Sequence, residues 1–145
     1  MNHYKNALKM TALGLALAAG QALAHGNVTP QVVDTKGLEE LGTEWRETNP
    51  YREGHPQHEL AIKVGASAYN QNCAACHGLE GISGGITPDL RYLEVGDYGD
   101  EWFKERVING AVRDGRVYMP KMADFLSQEA LWAIRTWLES VAVEQ

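Results

Sequence analysis

Residues 58–78 read HELAIKVGASAYNQNCAACHG, and the way this run ends decides what the rest of the chain must build. Ile62, Ala66, Tyr69 and Cys73 fall four, three and four residues apart, one face of a helix, so the spacing predicts a helix from Glu59 that delivers Cys73-Ala74-Ala75-Cys76-His77 at its end. Gly65 sits one turn before Tyr69. A glycine inside a helix costs ~1 kcal/mol against alanine, which points to a packing reason, the close approach of a second helix. The chain has only two cysteines, both in this run, and three chemistries use such a pair. A dithiol redox site would sit at a helix start after a strand, within βαβ units that are not found. A zinc site needs four ligands, and a second cysteine pair is missing. The third chemistry needs two thiols to add to haem vinyl groups and an adjacent imidazole to reach the iron. Cys73, Cys76 and His77 supply those groups in that order, so one covalent haem c is expected.

The iron's far side needs a second ligand, for which Met119, Met122, His55 and His58 compete. Met119 precedes Pro120 at the end of Gly115-Arg116-Val117-Tyr118-Met119-Pro120. Proline fixes φ and removes an amide, which holds the methionine on a stiff extended segment rather than inside a helix. Met122 is the near rival, and gap-filling in the core is the plainer role for either. His55 and His58 lie in a polar stretch where solvated histidines are the simpler account. After His77, the glycine-rich run from Gly78 to Gly85 suits a chain lying flat on a planar cofactor. In Thr87-Pro88-Asp89-Leu90, the Pro88 carbonyl can accept from the free ring nitrogen of His77 and so fix its tautomer, although an ordinary proline turn reads equally well. Arg91, Trp102, Arg106, Arg113 and Arg116 are candidates for the haem propionates, with Arg91 and Trp102 preferred over the reading of each arginine as a solvated charge.

Outward from this centre, Asp100 reads as an N-cap and Gly110 as a stop for a short helix over 101–109, with Trp102, Phe103, Val107 and Ile108 on its apolar side. Ser127 caps a last helix in which Leu131, Ile134, Leu138 and Val141 repeat at three, four and three. Leu38, Leu41 and Trp45 suggest a further short helix. No run alternates long enough to predict a strand, so the expected class is all-α, three to five helices around one haem.

At the N-terminus, Lys5 and Lys9 precede an apolar run, Thr11 to Ala19, too short to span a bilayer, and Ala22-Leu23-Ala24 makes a cleavage site. The expected organisation is a signal peptide over 1–24, an N-terminal extension over 25–57 and a haem domain over 58–145, exported to the periplasm. Cleavage leaves 11 basic against 19 acidic residues. That balance argues against nucleic acid or anionic lipid as a partner and favours a soluble carrier, and a monomer without stable membrane insertion is expected.

The chain resembles class I cytochromes c over about residues 60 to 141, through Gly65 and Tyr69, the Cys73-Ala74-Ala75-Cys76-His77-Gly78 run, Thr87-Pro88-Asp89-Leu90, Met119-Pro120 and the closing Trp137-Leu138. The resemblance implies that His77 and Met119 are the axial ligands, that Pro88 accepts from His77, and that Gly65 and Tyr69 meet Trp137. Where the family has asparagine after the proline, this chain has Asp89. It is also similar, through Glu44-Trp45-Arg46-Glu47-Thr48-Asn49-Pro50-Tyr51-Arg52 and Val112 to Pro120 among other segments, to the soluble periplasmic cytochromes that accept electrons from PQQ-dependent alcohol dehydrogenases. This implies such an ethanol dehydrogenase as donor and a terminal oxidase or another cytochrome as acceptor.

Three functions follow from the residues. A mobile one-electron carrier and not an enzyme is the first, with both axial positions filled. A haem-based redox enzyme subunit or gas sensor is the second, and it requires an open iron site. The third is a copper protein in which His25, as a new N-terminus, chelates Cu(II) with His55 or His58. With so few lysines, docking is expected through an apolar patch around Ala74, Ala75, Ile86 or Tyr118, with weak dependence on salt.

Overall fold

The computed structural model describes residues 29–85 and 87–144. Among the described residues four α-helices carry the fold: α1 (His58–Asn72), the single turn α2 (Ala74–His77), α3 (Asp97–Asn109) and α4 (Gln128–Ser140). The expected signal peptide, His25 and Ile86 lie outside the described residues.

Helices α1 and α4 form the centre because α1 presents its smallest side chains to its partner. Its buried residues are Ala61, Gly65, Ala68, Tyr69 and Asn72. A Cβ on Gly65 would stand 1.9 Å from the Ala133 carbonyl oxygen, so only glycine permits this approach. The buried stripe is thus turned by about one residue from the expected one, leaving Ile62 and Ala66 half-buried beside the seam. Contact between backbones selects for small size, not for hydrophobicity. Tyr69 then stacks at a tilt on Trp137, with ring centroids 4.5 Å apart. Of the contact expected with Trp137, Tyr69 makes it and Gly65 meets Ala133 one turn earlier.

Ser127 caps α4, its hydroxyl accepting from the Ala130 N–H at 3.3 Å. Every residue from Ala130 to Leu138 is buried, because three layers surround the helix. The third layer is residues 29–57. Leu38, Leu41 and Tyr51 reach the core, and Trp45 meets the edge of Trp132 at 6.3 Å. The short helix expected over 38–45 is absent, although its apolar residues do point inward. The backbone there is held by α4 side chains instead: Glu129 accepts from the Leu41 N–H at 2.7 Å, and the Gln128 amide donates to the Gly42 carbonyl at 2.7 Å.

Two further expectations are corrected. Helix α3 begins one turn earlier than expected, at Asp97, with Gly96 as its N-cap, and Asp100 lies buried inside it rather than capping it. The class is helical but not strictly all-α, since β1 (Ala111–Arg113) and β2 (Arg116–Met119) pair as an antiparallel hairpin. Asp114 and Gly115 both take positive φ, 50° and 73°, as the tight turn of a two-residue hairpin requires. Strands of three and four residues are too short to show alternation in sequence.

Candidate haem site

Cys73 stands at the corner between α1 and α2. Its N–H donates to the Tyr69 carbonyl at 2.8 Å and its own carbonyl accepts from the His77 N–H at 2.9 Å, so the whole Cys73–His77 turn is fixed to α1. The Tyr69 hydroxyl extends that hold by donating to the Gly78 carbonyl at 2.8 Å. Both cysteines are free, Cys73 half-buried against the core and Cys76 exposed. Burial, with Cys76 nearby as the lesser cause, pushes the Cys73 thiol up to about 12. A dithiol redox site needs the opposite, a thiolate at neutral pH.

The imidazole of His77 is fixed from behind. Its Nδ1 lies 3.3 Å from the Pro88 carbonyl oxygen, which with the proton on Nδ1 leaves Nε2 as the free nitrogen. The loop that brings Pro88 there is tied at both ends. Thr87 donates from its hydroxyl to the Cys76 carbonyl at 2.8 Å, and the Ser83 hydroxyl donates to the Thr87 carbonyl. Asp89 organises the rest. It accepts from the Arg91 N–H at 3.1 Å, from Arg91 Nη2 at 2.9 Å and from the Ser83 N–H at 3.3 Å. The Arg91 guanidinium is the first cause, with backbone N–H donors adding, that holds the Asp89 carboxyl at about 2. A carboxylate thus caps the Leu90–Tyr92 turn. Arg91, expected at a propionate, is engaged by Asp89.

Trp102 is 48 % exposed on α3 and lines a cavity of about 370 Å³ with Tyr92, Leu93, Glu94, Tyr98 and Gly99. The Arg106 guanidinium lies 6.0 Å from its ring centroid. On the hairpin, the register sets Val112 opposite Val117 and Ala111 opposite Met119, with a register shift between the two pairs that interrupts the alternation of β2. Met119 is half-buried and packs on the core, whereas Met122 is 6 % exposed, a core residue in the turn that follows. These aromatic and aliphatic groups, two free thiols and an imidazole with one nitrogen fixed fit a flat apolar macrocycle with iron at its centre.

His55 and His58 are occupied in shaping the 29–58 segment. His58 Nδ1 lies 2.8 Å from the Tyr51 carbonyl, and His55 accepts from the Gln57 N–H at 3.1 Å while facing Glu39 at 3.5 Å. Among the described residues no group of three His, Cys, Asp or Glu side chains could hold a metal ion.

Sequence reasoning missed the buried network behind the cavity. Asp100 meets Arg135, Arg52 and the Asn49 N–H, and Glu139 meets Arg135, Arg52 and the Asn49 amide. One signal was present: Arg135 interrupts the apolar run Ala130 to Leu138, where a solvated charge has no place.

The family model for "Cytochrome C oxidase, cbb3-type, subunit III" matches residues 60–138. The chain is 74 % identical over 132 residues to cytochrome c550 of Pseudomonas aeruginosa, covering 91 % of this chain and 90 % of that protein. It is 35 % identical over 79 residues to the quinohemoprotein alcohol dehydrogenase ADH IIB of Pseudomonas putida, covering 54 % of this chain but 11 % of that enzyme. A third relative, chloroplastic cytochrome c6 of Chlamydomonas reinhardtii, is 35 % identical over 85 residues, 57 % of this chain and 56 % of that protein. No solved structure matches the chain.

Proposed function

The chain belongs to the class I cytochromes c and holds haem c covalently, and from that premise we propose that it is a periplasmic carrier of single electrons rather than an enzyme. The haem supplies one-electron exchange between its ferric and ferrous states. Cys73 and Cys76 would tether it, His77 and Met119 would hold its iron, and Pro88 would fix the tautomer of His77. The observation that carries the reading is the His77–Pro88 contact of 3.3 Å beside two free thiols. An imidazole held from behind presents the same nitrogen in both oxidation states. Met119, at the end of a paired strand and followed by Pro120, is likewise held. With both positions filled, electron transfer needs little rearrangement, and a thioether ligand raises the potential relative to two histidines, as suits a carrier feeding an oxidase.

The donor we infer is a PQQ-dependent alcohol dehydrogenase, and the acceptor a terminal oxidase or a second cytochrome. Support comes from the P. putida enzyme, part of which is similar to this chain and whose name joins a quinone-and-haem cofactor set to alcohol oxidation. Residues 1–24 act as the export signal. Among the described residues no helix is long and apolar enough to cross a membrane. The test is to mix the oxidised protein with a purified quinoprotein dehydrogenase and its alcohol, and with unrelated periplasmic donors, and to follow the haem spectrum. Reduction by the quinoprotein at a rate well above the others is expected. Equal rates would remove the donor assignment, and carbon monoxide binding to the wild-type protein would instead support an open-iron sensor.

A further inference from the structure

Arg135 lies in the most apolar stretch of α4, yet its side chain is fully buried, as is that of Asp100 on α3. Burying two charges costs more than a simple ion pair returns unless their other donors and acceptors are satisfied. Here Arg135 Nε donates to Asp100 Oδ1 at 2.7 Å, while Nη2 donates to the Glu94 carbonyl at 2.6 Å and faces Glu139 at 3.2 Å, and Nη1 alone is buried without a hydrogen-bond partner. Asp100 accepts in addition from the Asn49 N–H at 2.7 Å and pairs with Arg52. A second observation locates this pair. A Cβ on Gly99 would stand 1.7 Å from the Glu94 oxygen and 2.6 Å from Arg135 Nη2, and Gly99, Leu93 and Glu94 all line the cavity that holds Trp102. The guanidinium therefore sits directly behind the cavity wall, with a glycine backbone between them. The Glu94 carbonyl accepts from it.

We propose that Arg135 and Asp100 are a positioning pair that fixes this wall, and that their opposed charges set the reduction potential of the haem seated against it. The inference rests on that seating. Reduction adds one negative charge to the haem, so an uncompensated cation behind the wall favours the ferrous form and an uncompensated anion the ferric form.

The experiment is a redox titration of the haem-loaded protein against a small-molecule mediator. Asp100→Asn removes one of the two carboxylates that compensate Arg135, leaving Glu139, and raises the equilibrium constant for reduction about three- to tenfold. Arg135→Gln leaves Asp100 with Arg52 as its one remaining cation and lowers it by a similar factor; tenfold corresponds to about 59 mV for one electron. The double variant returns to within about twofold of wild type. Loosening of the wall alone would admit water and move both single variants towards the ferric form, so shifts of one sign, or none, overturn the proposal. The low-spin ferric spectrum of the wild-type protein, recorded first, tests the haem seating and its ligands separately. If the buried variants do not accumulate, Glu139→Gln and Arg52→Gln at the edge of the network must split in the same two directions by smaller factors, and no split there also overturns it.

Discussion

The two halves of the molecule close themselves in different ways. On one side, α1, α4 and the 29–57 segment bury Ala61, Ala68, Tyr69, Tyr51, Trp132 and Leu138 with other side chains of the same chain. On the other, the short turns after His77, helix α3 and the hairpin leave Trp102, Tyr98, Val112, Val117 and Tyr118 each about half or more exposed. The first half is a protein core, finished by protein. On the function proposed above, the second is half of a core whose other face is a cofactor, tethered by the two cysteines at the corner where the halves meet. A small chain that must keep a polar helix such as α3 in place gains much of its buried area from the haem itself.

The sharpest way to break that contrast is to remove the tether. Cys73→Ala with Cys76→Ala should release all haem into acid acetone, where the wild type keeps it. The helix-rich half should persist more than the hairpin half, read as slower amide exchange in α1 and α4 than in α3 and β1–β2. Retention of haem would sink the attachment assignment, and uniform exchange would sink the comparison.

Next in size is the link between the halves. Asp100→Ala removes the fully buried carboxylate from Arg135 and Arg52, leaving Glu139 as their shared partner, and should cost about 3–5 kcal/mol in denaturant unfolding. A smaller loss would mean that water reaches the pair. Within the protein core, Gly65→Ala should destabilise by about 1–3 kcal/mol through its clash with the Ala133 carbonyl, against the gain of ~1 kcal/mol that propensity alone gives. A stabilised variant would show that the α1–α4 contact yields easily.

The two methionines separate the halves without changing the fold. Met119→Ala should abolish the weak sulfur-to-iron band of the ferric spectrum and admit carbon monoxide. Met122→Ala should keep that band and lose about 2–5 kcal/mol of stability, as a core truncation does. The reverse pattern would exchange their roles. The smallest effect is acid release of the loop behind His77. Asp89 titrates near 2 in the folded protein and near 4 when unfolded, so its contribution is present above about pH 4 and is lost as pH falls towards 2. Asp89→Asn should flatten the acid transition of the haem spectrum in that window. An unchanged transition would place the acid trigger elsewhere.

Much of this was legible because it is written locally. The Cys73-Ala74-Ala75-Cys76-His77 run carries its chemistry in consecutive residues, Ser127 caps the helix it precedes, and Gly110 stops the one before it. Asp100 was misread for the same reason. From its neighbours it has the look of a cap, and its true partners, Arg135, Arg52 and Asn49, are distant in sequence. The hairpin escaped because its strands are shorter than one reliable period, although Asp114-Gly115 was a signal for its turn.

The sequence by itself therefore determined the cofactor, its attachment and the helical character of the chain, since each depends on side chains that are neighbours along the backbone. Only the tertiary structure decided which face of α1 is buried, that residues 29–57 complete the core, and that a charged pair stands behind the cavity at Gly99. Those outcomes depend on how closely two backbones can approach and on which distant groups satisfy a buried charge, and neither property belongs to any local stretch of sequence.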